Sequence, residues 1–138
     1  MSLRYPDLAA LVLRIGFGLY MLLGHGLSKL MHLVDGGDIK FASILGLPPK
    51  VCLTLVVIAE FFACIMIIVG YKSRLASIPL IITMAIAAFL VHGSDPFFMQ
   101  GAEGGSKEPA LIYLIGFLAI FLLGSGRYSL DDKVDCVL

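Results

Sequence analysis

Charge is what this chain has least of. Only 14% of its 138 residues are Asp, Glu, Lys or Arg, against roughly 25% in an ordinary soluble domain. A globule of this length needs a charged surface to stay dissolved, so a soluble domain is excluded. Ten basic residues balance ten acidic ones, and no excess of either sign speaks for nucleic acid or an acidic partner. Cysteine is scarce as well. Cys52 and Cys64 lie on one helical segment, about 18 Å apart along its axis, beyond disulfide reach. Cys136 is third from the end of the sequence and does not fit prenylation, which needs the fourth. No CxxC pair, zinc spacing, flavin fingerprint or haem motif is present, so nothing in the sequence would let the chain carry electrons by itself. No clear A-x-A site follows the first apolar run, and a retained first span is expected.

Apolar residues fill the space that charge leaves. They make up 59% of the chain, and mean hydropathy is +1.00. That fraction amounts to about 81 residues, matching the ~80 that four spanning helices need. The runs cover about 8–30, 51–70, 75–91 and 109–124, predicting one all-α membrane domain over 1–138, a four-helix bundle. Pro109 sits where its missing N–H costs nothing, at a helix start. Pro79, early in the third run, is expected to kink it. Arg4, Lys72, Arg74, Arg127 and Lys133 fall on one side of such a bundle, Lys40, Lys50 and Lys107 on the other. The positive-inside rule then puts both termini in the cytoplasm.

Ionisable residues inside a span cost at least ~2.5–3.5 kcal/mol each and need a reason. On a helical wheel Arg14, Gly18, Met21, His25, Ser28, Lys29 and His32 share a stripe roughly 100° wide, which is expected to face the interior. Glu60 lies near the middle of the second run, roughly 6 Å deeper than Arg14. The two are expected to pair, as a helix lock or as a proton relay with Glu60 the accepting carboxylate. Lys29 and His32 are expected to snorkel to the outer interface. His25 and His92 lie at a common depth, where Glu108 and Tyr113 open the fourth helix. Imidazole, phenol and carboxylate there could bind a quinone head group or pass protons. The plainer reading has these residues satisfied by headgroups and water, with Tyr113 in the aromatic belt. Haem ligation by the two histidines has no motif behind it.

Several stretches together resemble one family. The first helix reads LVLRIGFGLYMLLGHGLSKL, and LGLPP ends the following loop at Pro49. Glu60 stands within IAEFFACIMIIVGYKSRLAS, and the closing block is KEPALIYLIGFLAIFLLGSGRYSLD. This order is similar to the DoxX family of small four-helix membrane proteins, whose members often have GPGRYSLD where Ser125 replaces the proline. That replacement is expected to loosen the turn. The resemblance implies a multi-pass protein of a bacterial or archaeal cytoplasmic membrane, a subunit of a quinone-linked oxidoreductase or redox-stress system. It marks Arg14, Glu60, Glu108, Tyr113, Arg127 and Asp131, with Arg127 and Asp131 forming a cytoplasmic end-cap. The implied cofactor is a quinone. The implied partners are the lipid bilayer, a soluble redox protein and a second copy of the chain. A small proton-coupled carrier working through Arg14–Glu60 and a non-catalytic scaffold for a membrane complex are the alternatives.

Overall fold

Proline and glycine set the limits of the helices in the computed structural model, which describes residues 5–101 and 105–135. Arg4 and Cys136 lie outside them. Helix α1 spans Tyr5–Asp35 and stops at Gly36 in the left-handed conformation, where the absent Cβ removes the usual penalty. Helix α2 spans Pro49–Val69, with Pro49 in its first turn and Gly70 ending it at φ 74°. Helix α3 covers Ser73–Val91, and α4 covers Glu108–Leu123 with Pro109 in its first turn. A short α5, Leu130–Asp135, follows. The apolar pattern does not announce it, because it holds three acids in six residues. Each long helix outruns its apolar run at one end or both, α1 most of all, because polar caps extend a helix beyond its apolar stripe. Pro79 lies inside α3, and the helix continues past it.

The described residues form helices and connecting loops, with no strand. Met21 of α1, Ala59, Ala63, Cys64 and Ile67 of α2, Ala76, Leu80 and Met84 of α3, and Phe117 and Ile120 of α4 make one buried cluster. Alanines at the α2–α3 seam let those backbones come close. Outside this cluster the helices are apolar too, and Val12, Ile58, Ile115 and Leu122 are exposed. An apolar exterior over an apolar core fits lipid as solvent. Helices α1, α2 and α3 are long and apolar enough to cross a bilayer, whereas α4 is a shorter apolar helix.

Three of the helices depart from α geometry in the same way. A π-helical stretch occupies Leu22–Gly26 of α1, Ile58–Ala63 of α2 and Ala87–Val91 of α3. Such wide turns shift the phase of the residues beyond them and recur at functional sites. Here they hold His25 and Glu60 and lead directly into His92.

Candidate functional site

At Gly26 the first two helices meet backbone to backbone. A Cβ on Gly26 would run into the carbonyl of Glu60, so only glycine permits the approach. Lys29 stands three residues further along α1, and this brings its ammonium to the carboxylate of Glu60. Nζ donates to Oε1 at 2.7 Å and to Oε2 at 2.6 Å. Glu60 is 2% exposed and Lys29 28%. Lys29 therefore turns inward rather than snorkelling to the interface. The expected Arg14–Glu60 pair does not form. The helical wheel put both cations on the correct stripe, but it carried no information on which would meet the carboxylate.

The Lys29–Glu60 pair stands on a wall shared by two cavities. The inner one, about 330 Å³, lies among the helices and is lined by His25, Tyr113, Ser106 and the methionines 21, 84 and 99. The outer one, about 510 Å³, lies between α2 and α3 beneath the loop that carries Phe41, Ile44 and Leu47. Its walls are apolar, including Leu55, Ile58, Ile82 and Ile86. His92 borders both cavities, and its Nδ1 donates to Asp95 Oδ2 at 2.7 Å. That bond leaves Nε2 as the nitrogen for a further partner.

Of the four residues expected to cluster at this level, three do. His25 meets the Tyr113 ring edge-on, with centroids 5.8 Å apart, and both border the inner cavity with His92. Glu108 is placed elsewhere. Its carboxylate accepts the Met99 N–H at 2.8 Å, holding the loop between α3 and α4, and it borders a neighbouring groove between α1 and α4. A residue in the first turn of a helix is well placed to bind preceding loop backbone, and here that use prevails. Lys29, Asp95 and Ser106 are members that sequence reasoning missed. A lysine on the polar stripe was the available signal for the first. The other two lie in a loop with no periodicity to place them.

Arg14 is fully buried at the opposite end of the molecule. Its guanidinium donates to the carbonyls of Ile67 (3.3 Å), Ile68 (3.4 Å) and Tyr128 (2.5 Å). It thus serves carbonyls of the last turn of α2, where donors run short; that of Ile67 also accepts the Gly70 N–H at 3.1 Å. Around it, Asp131 accepts the Lys72 N–H at the start of α3, at 2.8 and 3.0 Å. Asp7 accepts the Arg127 N–H at 3.2 Å. The end-cap therefore exists, but Arg127 and Asp131 serve different partners within it. Ser125, expected to loosen the turn relative to proline, contributes bonds of its own. Its Oγ donates to Asp131 at 2.5 Å and accepts the Ser73 N–H at 3.3 Å.

Apolar helices with an apolar exterior, enclosing a buried ion pair between two cavities, define a helical membrane protein. Residues 9–93 match the DoxX family, and the chain belongs to it. It is also 32% identical over 119 residues to an uncharacterized protein of Haemophilus influenzae, covering 83% of this chain and 82% of that one. No solved structure matches.

Proposed function

We propose that the protein is a multi-pass four-helix subunit of a quinone-linked redox system in a bacterial or archaeal cytoplasmic membrane. In this reading both termini are cytoplasmic, and the quinone sits at the Lys29–Glu60 pair. One observation carries it: a buried ion pair stands where an apolar cavity between two helices meets an inner cavity with polar groups. An amphipathic ligand needs this combination, a polar head held inside and an apolar tail led out between helices. The residues present suit such a molecule. Lys29 is a hydrogen-bond donor, His92 offers a ring nitrogen, and the α2–α3 walls are aliphatic. A bound quinone supplies two-electron, two-proton redox chemistry. Lys29 and Glu60 would orient the head group and hold a proton at the Glu60 carboxylate. Arg14 has no part in this, because it lies at the opposite end of the molecule with both terminal nitrogens bonded to backbone carbonyls. Electrons would come from a soluble partner.

The test is solvent extraction of the protein purified in mild detergent, with Glu60→Gln alongside. Stoichiometric quinone in the wild type, lost in the variant, is the expected result. Quinone absent from both would overturn the reading. The two cavities meeting at one ion pair also favour a second reading, a proton-coupled carrier. Substrate-dependent proton flux in proteoliposomes, abolished by Glu60→Gln, would select it.

A further inference from the structure

Two buried side-chain atoms lack a hydrogen-bond partner among the described residues, Arg14 Nε in the end-cap and Ser106 Oγ, and only Ser106 borders the inner cavity. It lies in the loop before α4 and is only 6% exposed. An unpaired buried hydroxyl costs about 1–3 kcal/mol, and such groups in native proteins have a reason. The residue borders the inner cavity. Its neighbour Gly105 packs the loop closely there: a Cβ on Gly105 would strike Asp95 Oδ2 at 2.6 Å, beside the His92–Asp95 pair.

The rest of the cavity describes the molecule that would complete this hydroxyl. Met21, Met84 and Met99 give it soft, polarisable walls that suit the faces and edges of a ring. Tyr113 stands edge-on to His25 and stacks on Phe117 with planes 18° apart, so it is a rigid aromatic wall. At about 330 Å³ the space suits a single substituted ring. Lys29 and Glu60 stand on its wall toward the outer cavity.

We infer that Ser106 is a binding residue that donates its hydroxyl to a ring oxygen of the head group, which lies in the inner cavity while only the tail occupies the space between α2 and α3. This rests on the quinone reading and adds the position of the ring and its recognition. It follows that the ring binds without its tail, and that Ser106 distinguishes an oxygenated ring from a hydrocarbon of the same shape.

A matched pair of probes tests this: tetramethyl-1,4-benzoquinone and tetramethylbenzene, which share a carbon skeleton. Their affinities are measured by calorimetry on detergent-purified wild type, Ser106→Ala and Ser106→Cys, each checked for an unchanged melting temperature. The expected result is that the wild type binds the quinone, and that Ser106→Ala weakens it about five-fold, the equivalent of one hydrogen bond. Tetramethylbenzene affinity should be unchanged in both variants, with Ser106→Cys between the wild type and Ser106→Ala for the quinone. A wild type that binds the quinone with no loss in Ser106→Ala would overturn the assignment of Ser106 alone, because a water would then be its partner. Failure of the tail-less ring to bind, while extracted protein carries long-tailed quinone, would overturn the placement of the ring. Absence of quinone by both measurements would overturn the quinone reading, and this inference with it.

Discussion

The two ends of the molecule use the same kinds of residue for opposite purposes. At the end that holds Arg14, Asp131 and Ser125, each of these side chains binds backbone: the α2 carbonyls, the Lys72 N–H and the Ser73 N–H. Gly70, at φ 74°, closes it so tightly that a Cβ would collide with the Arg14 guanidinium and Ser129. At the other end Lys29 pairs with Glu60 and His92 with Asp95, and Lys29, Glu60 and His92 border open space. The helices there are widened into π turns. Cations bonded to helix carbonyls stabilise a fold. Cations bonded to a buried carboxylate beside a cavity do little for stability, because desolvation offsets their attraction. Burial of charge alone does not separate the two roles; what the charge is bonded to does.

The sharpest way to break this comparison is to remove the cation from each end. Arg14→Leu leaves the Ile68 and Tyr128 carbonyls without the guanidinium, while that of Ile67 keeps the Gly70 N–H; at about 1–3 kcal/mol for each unpaired group, the loss should be about 4 kcal/mol. The expected outcome is loss of a monodisperse, cooperatively melting protein in detergent. A variant that melts like the wild type but no longer carries quinone would move Arg14 to the functional end.

Lys29→Met should cost less. Removing one partner of an enclosed pair costs about 3–5 kcal/mol; Lys29 remains 28% exposed, so about 2–3 kcal/mol is expected. The Lys29→Met/Glu60→Met double variant should recover at least half of that loss, since no unpaired charge remains. Melting temperatures of the two single variants and the double variant check this. A double variant less stable than Lys29→Met would show that the pair braces the fold, and the contrast between the ends would fail.

Much of this fold was legible because membrane helices advertise themselves. Apolar length and Pro109 at a helix start place α2 to α4 within a few residues, while the first run stops short of the end of α1 at Asp35. The polar stripe of α1 was legible for the same reason. Its partners were not. Arg14 and Lys29 are four turns apart on one face, and a helical wheel is blind to position along the axis. Glu60 pairs with Lys29 because Gly26 lets α1 and α2 touch at that level, a tertiary fact with no periodic signature. Glu108, Asp95 and Ser106 depend on how the 92–107 loop folds back, with Lys107 N–H bonded to the Pro96 carbonyl at 3.0 Å. Nothing in local pattern specifies that.

The smallest expected effect sharpens the committed end. Ser125→Pro sets two opposing terms against each other. Proline would lower the entropy of the unfolded chain, a gain of about 0.4–1 kcal/mol where the backbone allows it. Gly124 before it stands at φ 78°, ψ −160°, open to glycine and outside the α region that a following proline disfavours. Against this, the substitution removes the hydroxyl that donates to Asp131 and accepts the Ser73 N–H, at about 1–2 kcal/mol. The two nearly cancel, leaving a destabilisation of about 1 kcal/mol or less and a small fall in melting temperature. The local signature should exceed the global one, with faster amide exchange at Ser73, which loses its acceptor. A rise in melting temperature with Ser73 exchange unchanged would mean that Ser125 contributes only its backbone, and that Asp131 holds the start of α3 without its help.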